Sequence, residues 1–186
     1  AGTNVVIALA NNARARYEAG NTDDLSGQLS LAAGATGKLD LGNNNVVFNS
    51  ALAVTTGTGS TATLSKEGIG KLTIAAGNNT NLNVAVTAGT LNIGTNGTIG
   101  NVSLAPNSTL GGVGTAGAVT VASGAFFAPG NSPGTLTVSS LGLVSGSTFI
   151  WEVQNATGGA GVGYDTTAIT GSLDLTGATA NNKITL

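Results

Sequence analysis

A five-residue motif, Gly-x-Leu-x-(Leu, Ile or Val), recurs along the chain and constrains its fold more than any other feature. Full copies lie at residues 27–31, 37–41, 70–74, 89–93, 134–138 and 171–175. In each copy two aliphatic residues stand two positions apart with a polar residue between them, which is the spacing of a β-strand buried on one face. Repetition of this kind is typical of architectures in which each unit stacks on the next.

The segments between the motifs are rich in turn-forming residues, as at 42–45 and 77–79. Short strands, frequent turns and only 4% aromatic residues predict an all-β fold, specifically a parallel β-solenoid (β-helix) with a narrow aliphatic core. A β-sandwich is the alternative, although sandwich strands are usually longer and supply more aromatic core. The first leucine of each motif is predicted to point into the core: Leu29, Leu39, Leu72, Leu91, Leu136 and Leu173.

The sequence divides into an N-terminal cap or edge segment, residues 1–26, and a β-solenoid repeat domain, residues 27–186. Residues 12–20 fit two structures. They run from a helix N-cap residue to a C-terminal Gly, yet Ala and charged residues also alternate as in a strand. Charged residues concentrate between Arg14 and Asp24, which indicates a polar cap over the end of the solenoid.

The charge of the chain excludes several classes of partner. Charged residues make up 8% of the sequence, the net charge is −2, and the six basic residues are scattered. Because no basic stripe exists to neutralise phosphates, we expect no nucleic-acid partner. The longest apolar runs, such as residues 5–10, are far shorter than the roughly 18 residues that span a bilayer. The chain is therefore not expected to be embedded in a membrane.

Two further patterns suggest ligand binding but have simpler interpretations. Residues 112–117 satisfy the dinucleotide fingerprint Gly-x-Gly-x-x-Gly. The fingerprint requires a following helix, whereas residues 118–121 have a strand pattern, so we interpret the match as chance. Trp151 could stack on a sugar, but it alternates with Phe149 and Val153 and is predicted to belong to the core.

No enzymatic activity is expected. The chain contains no His and no Cys, which excludes Ser-His-Asp and Cys-His mechanisms and zinc held by those residues. Asp165 and Asp174 could lie on neighbouring coils, at the separation of the two carboxylates of a glycoside hydrolase. Asp174, however, occupies the middle of the motif, where other copies carry Ser, Thr or Asn. We accordingly predict no catalytic residue, no cofactor and no metal ligand, with calcium held by Asp23, Asp24 and nearby carbonyls as the alternative.

Residues 128–138, with the sequence Ala-Pro-Gly-Asn-Ser-Pro-Gly-Thr-Leu-Thr-Val, resemble the signature of autotransporter-associated β-strand repeats. Other segments similar to that family lie at 68–74, 88–93, 145–153, 163–165 and 169–175. The resemblance covers roughly residues 64 to 186. It implies a solenoid module of the kind found in passenger domains of secreted bacterial surface proteins.

The Pro-Gly segment is predicted to be a rigid bend that steers the chain into the strand at 135–138. Two prolines fix φ and lack a donor, while the glycines supply a permissive backbone. The residues expected to form this structural turn are Pro129, Gly130, Asn131, Pro133 and Gly134.

The function that these features favour is a structural module of a secreted or cell-surface bacterial protein, stacking end to end into an extracellular fibre or matrix. The alternatives are an adhesin for a host or surface ligand, such as a cell-surface polysaccharide, and a polysaccharide-active enzyme. Either alternative should gather aromatic or charged residues on one face, whereas this surface is uniformly Thr, Ser and Asn. Open strand edges at the two ends would self-associate. The residues predicted there are Val5, Val6, Ile7, Ile184 and Leu186.

Overall fold

Eighteen short strands and no helix form the part of the chain that this computed structural model describes, residues 6–55 and 59–177. Val, Ile and Thr are frequent in the strands and favour pleated, half-buried surfaces. The strands are β1 (Ile7–Leu9), β2 (Arg14–Arg16), β3 (Leu29–Ala32), β4 (Thr36–Asp40), β5 (Val46–Phe48), β6 (Ala53–Thr55), β7 (Ala62–Glu67), β8 (Lys71–Asn79), β9 (Leu82–Val86), β10 (Gly89–Ile99), β11 (Val102–Leu104), β12 (Ser108–Gly112), β13 (Thr115–Val121), β14 (Phe126–Pro129), β15 (Thr135–Leu143), β16 (Thr148–Phe149), β17 (Thr166–Ile169) and β18 (Leu173–Asp174).

The strands pair in parallel. A three-stranded sheet has the order β1-β3-β6, and the remaining strands form one 15-stranded sheet. Within the described residues, antiparallel contacts occur as isolated bridges, between Gly112 and Gly130 and between Val153 and Tyr164. The predicted all-β class and the predicted parallel pairing are confirmed. A fold built from hairpins would instead have paired neighbouring strands antiparallel.

Two long series of strands organise the large sheet. The first, which we call the long ladder, pairs β2, β4, β7, β9, β11, β13, β15 and β18 in that order. The second, the short ladder, pairs β5, β8, β10, β12, β14 and β16. Paired positions form columns of like side chains, such as Leu72, Leu91, Leu110 and Phe127. Each column buries apolar surface against strands about 4.8 Å away on either side.

Most of the leucines predicted to point inward are buried. Leu29, Leu39, Leu72, Leu91 and Leu136 all belong to the hydrophobic core. This core is almost entirely aliphatic, and Phe48 and Phe127 are its fully buried aromatic residues in the described part of the chain.

Leu173 departs from the prediction. Its side chain is 51% exposed, because β18 is the last strand of the long ladder in the described residues and pairs only with β15. Leu175, two residues further on, is exposed as well. The inward-facing pattern therefore continues to the end of the ladder, but there no described strand covers it.

The N-terminal segment forms strands rather than a helix. β1 pairs in parallel with β3, and β2 pairs with β4. Pairing satisfies backbone groups of this segment, as when the Tyr17 amide donates to the Asp40 carbonyl. Tyr17 itself is buried, and its hydroxyl donates to the Asp23 carbonyl. The strand alternation of residues 13–17 thus prevails over their helix propensity.

Candidate functional site

The Pro-Gly bend is fastened to a distant loop by one buried carboxylate. Pro129 ends β14, and both Gly130 and Ser132 have positive φ, 94° and 58° respectively. Asp165 accepts from the Gly134 amide at 2.9 Å and from the Glu152 amide at 3.0 Å. The carboxylate therefore joins the bend to the segment that follows β16, and it serves the backbone rather than a ligand.

The five predicted turn residues differ in exposure. Pro129 and Gly134 are buried at the two ends of the bend, Asn131 is exposed at its tip, and Gly130 and Pro133 are half-buried. Gly130 faces the Asp165 carboxylate so closely that a Cβ atom would collide with it. A glycine is required at this position because of both the close approach and the positive φ.

Removing the Asp165 carboxylate is expected to loosen the bend. In Asp165→Ala two amides lose their acceptors, each at about 1–3 kcal/mol. We expect a lower urea midpoint and faster hydrogen exchange at the Gly134 amide. Asp165→Asn keeps one acceptor oxygen and should fall between Asp165→Ala and the wild type. Unchanged exchange at Gly134 in the alanine variant would show that the carboxylate does not hold the bend.

A groove lined by both polar and apolar residues lies at this bend. Two adjoining cavities of about 450 and 250 Å³ share Ser132 and Glu152, whose side chains are hydrogen-bonded to each other. Hydroxyl and amide groups line the smaller cavity, among them those of Thr90, Asn92, Thr109 and Asn131. The groove offers neutral hydrogen-bonding groups and the carboxylate of Glu152, and the buried Asp165 also lines the smaller cavity.

Trp151 lies beside this region and not in the core, so that prediction is wrong. The side chain is 39% exposed, and its indole N–H donates to the Asp165 carbonyl. Its ring centroid is 5.7 Å from that of Tyr164 in an edge-on arrangement. The alternation fails because β16 ends at Phe149 and the chain then leaves the ladder.

The long ladder begins with a small charged cluster on its outer face. Arg14 lies 2.6 Å from Glu67 and 3.9 Å from Asp40, and Arg16 lies 3.8 Å from Asp40. Exposed pairs of this kind contribute about 0–1 kcal/mol each. Asp40 also accepts from the Gly42 amide at 2.9 Å, so it is more than a solvated polar position.

Lys66 is a buried residue that the sequence analysis missed. In the long ladder it occupies an inward column, between Leu39 and Val86, and its side chain is fully buried. The signal in the sequence is a lysine where the strand period calls for an aliphatic residue. Burial lowers the pKa of Lys66 to about 8, and the negative charge of Asp40 partly opposes this shift.

The ammonium group of Lys66 is held by the backbone. It donates to the carbonyl of Gly68 at 2.6 Å, to that of Ala88 at 2.7 Å, and also to that of Gly70. Three carbonyls match the three N–H donors of an ammonium group. Lys66 therefore stabilises the turn after β7 from within the core, and all three of its N–H donors are engaged by backbone carbonyls.

Among the described residues, no strand covers the aliphatic core at the last strands of the ladders. A cavity of about 330 Å³ is lined by Leu141, Leu143, Phe149, Thr167, Ile169, Leu173 and Leu175. The buried hydroxyls of Thr166 and Thr167 have no hydrogen-bond partner in the described part of the chain.

At the opposite end, Val6 is 63% exposed and Ile7 is half-buried. The other residues predicted to self-associate, Val5, Ile184 and Leu186, lie outside the described residues.

The glycine-rich segment 112–117 packs against a neighbouring strand. A Cβ atom at Gly112 or Gly114 would collide with the backbone at Ile93 and Gly94. Strand β13 begins within the segment at Thr115 and no helix follows the glycines, so the segment lacks the geometry of a dinucleotide site.

Neither a metal cluster nor a membrane-spanning helix is found in the described ranges. Residues 6–55 and 59–177 contain no group of three or more His, Cys, Asp or Glu positioned to hold a metal ion. They also contain no helix of the length and hydropathy needed to cross a bilayer. Asp24, one of the N-terminal carboxylates, accepts from the backbone amides of Ser26 and Asn49.

Comparisons with known proteins returned no match, whether to protein-family models, to curated proteins or to solved structures. The resemblance to autotransporter-associated repeats thus depends on the residues quoted for it above.

Proposed function

We propose that the chain is a non-enzymatic structural module of a secreted or cell-surface bacterial protein, built as a parallel β-solenoid. The resemblance of residues 128–138 to autotransporter-associated repeats supports the extracellular location. The strand ladders support the solenoid.

The path of the chain between two neighbouring strands of the long ladder supports the proposed solenoid. From Val84 in the long ladder the chain passes through Leu91 in the short ladder and through Ile99 at the end of β10. It then returns to the long ladder at Val102, directly beside Val84 and 18 residues later. We call such a circuit a coil. Parallel neighbours one circuit apart are what a solenoid requires.

The buried polar groups support a structural role. The Asp165 carboxylate holds the Pro-Gly bend, and the Lys66 ammonium is occupied by three carbonyls. Asp40 is engaged by two arginines and a backbone amide. Catalytic groups need access to a substrate, whereas these groups serve the fold.

The open C-terminal end is the observation that carries the proposal of end-to-end association. There, apolar side chains surround a cavity of about 330 Å³ that no described strand covers. An uncovered strand edge with apolar side chains is a template for another chain. Contact between unlike ends propagates as a filament unless the rotation closes a ring.

Electron microscopy of the purified chain under native conditions tests this function. We expect filaments with an axial repeat of about 40 Å, since the long ladder has eight strands spaced by about 4.8 Å. Strictly monomeric particles at high concentration, with both termini intact, would contradict the proposal.

Such monomers would favour the second candidate function, an adhesin. Its supporting observation is the groove shared by Ser132 and Glu152, whose hydroxyl, amide and carboxylate groups suit the hydroxyls of a surface polysaccharide. A monomer that binds polysaccharide through this groove would be an adhesin rather than a fibre subunit.

A further inference from the structure

The two ends of the long ladder carry opposite charges at the same column position. At the first strand Arg14 pairs with Lys38, and at the last strand Asp174 pairs with Gly142. The intervening registers connect these pairs into one column on the outer face. The column therefore begins with two basic residues and ends with an acidic residue.

We propose that a second copy of the chain docks on the open C-terminal end in register, so that its β2 continues the long ladder beyond β18 and its Arg14 lies beside Asp174. This inference rests on the proposed end-to-end association and specifies its contact. In the same register Leu173 and Leu175 lie beside Ala13 and Ala15 of the second copy. Two exposed leucines thereby gain apolar neighbours.

A neighbouring face of the solenoid continues in the same register. The second half of β8 lies against residues 50–52, which lead into β6, because the Leu52 amide donates to the Asn79 side chain at 2.7 Å. The sheet of β1, β3 and β6 thus lies on the same face as a later series of paired strands whose last member is β17. In a stack of two copies β17 of one meets β1 of the next.

The corner between these two faces has the same length at both ends. Four positions separate Ile169 from Leu173 at the C-terminal end, and four separate Leu9 from Ala13 at the N-terminal end. When Leu173 lies beside Ala13, Ile169 lies beside Leu9. A slip of one residue would turn the leucines outward. A slip of two would separate Ile169 from Leu9.

Charge selects this register. The Arg14 side chain is about half exposed. Within its own chain it forms an ion pair with Glu67, and its register partner in the neighbouring strand is Lys38. Asp174 is a carboxylate that is ionised at neutral pH, and a hydrogen bond from the Thr176 amide lowers its pKa further. Surface pairs add little affinity, but unlike charges favour one register over others.

Disulfide trapping tests the register, and the chain suits it because it contains no cysteine. Residues paired on neighbouring strands lie within the roughly 4.4–6.8 Å between Cα atoms that a disulfide bridges. Within one copy residues 14 and 174 are seven ladder steps, about 34 Å, apart. We expect a mixture of Arg14→Cys and Asp174→Cys chains to give a covalent heterodimer on mild oxidation.

The matched control moves one cysteine by two residues. In the proposed register, the Cα atoms of residue 16 and residue 174 lie about 7–8 Å apart, which is farther than a disulfide ordinarily bridges. Crosslinking between Arg16→Cys and Asp174→Cys chains should therefore fall several-fold. A higher yield from this control pair would overturn the register and point to a slipped contact.

A charge reversal provides a second test of the contact. Asp174→Lys should reduce filament assembly several-fold relative to Asp174→Ala.

The outcomes separate this inference from the proposed function. Filaments of the wild type in which residues 14 and 174 do not crosslink would overturn the register and leave end-to-end association standing. A wild type that stays monomeric would overturn both.

Discussion

Leu136→Asp is expected to lower the free energy of unfolding by about 4 kcal/mol or more. Leu136 is fully buried in β15, where its register partner in the next strand is Thr167. The aspartate would lie in the hydrophobic core beside the Thr167 hydroxyl, which could donate one hydrogen bond but supplies no compensating charge, so the aspartate must either stay charged in the core or bind a proton. Urea denaturation followed by circular dichroism measures the loss.

Leu173→Asp is the matched control for this substitution. Leu173 occupies the same position of the Gly-x-Leu motif, but its side chain is 51% exposed. We expect the stability of the monomer, measured at a concentration too low for assembly, to remain within about 0.5 kcal/mol of the wild type. Equal losses in the two variants would show that the two leucines are equally buried and that the open C-terminal end is covered in solution.

Lys66→Met is expected to reduce stability by about 3 kcal/mol at pH 7, because the loss of donors to three buried carbonyl groups, about 1–3 kcal/mol each, outweighs the relief of no longer burying a charge. The thioether fills the aliphatic column but donates no hydrogen bond. Lys71→Met is the control, since Lys71 is exposed at the start of β8 and should tolerate the change. A Lys66→Met chain as stable as the wild type would mean that the carbonyls find other donors.

The pH dependence of unfolding gives a second readout on Lys66. Its pKa is about 8 in the folded chain and 10.5 ordinarily, so the folded state binds fewer protons than the unfolded state between these values. Stability should therefore rise with pH across that window, by up to about 3 kcal/mol, and Lys66→Met should lose this slope.

Tyr17 limits the pH range in which this slope can be measured. Burial and nearby Asp24 raise the pKa of Tyr17 to about 12, so Tyr17 lowers stability above pH 10. The Lys66 slope is best measured between pH 8 and 10.

The sequence predicted the strands and their parallel pairing because both follow from a local repeat. An aliphatic pair with a polar residue between them defines a half-buried strand wherever it occurs. The same periodicity carries no information about where a ladder ends, which is why the prediction failed at Leu173 and Trp151.

The features around the candidate site depend on contacts that are distant in sequence. Asp165 reaches an amide 31 residues away, and Lys66 lies between strands whose register no single motif fixes. A charged residue in a strand ordinarily faces solvent, so the burial of Lys66 emerges only once Leu39 and Val86 are placed beside it. The charge match between Arg14 and Asp174 likewise requires the complete ladder.

The circuits between paired strands of the long ladder differ in length, and the longest described circuit is extended at one corner. Val102 and Val119 are paired at a spacing of 17 residues, whereas Leu141 and Leu173 are paired at a spacing of 32. Much of the excess lies between β16 and β17, where residues 150–165 leave the ladder while the strands on either side keep their pairing. Insertions at this corner can therefore diversify the lateral surface of the molecule without altering its pitch, which makes the corner a natural position for grafting a foreign peptide.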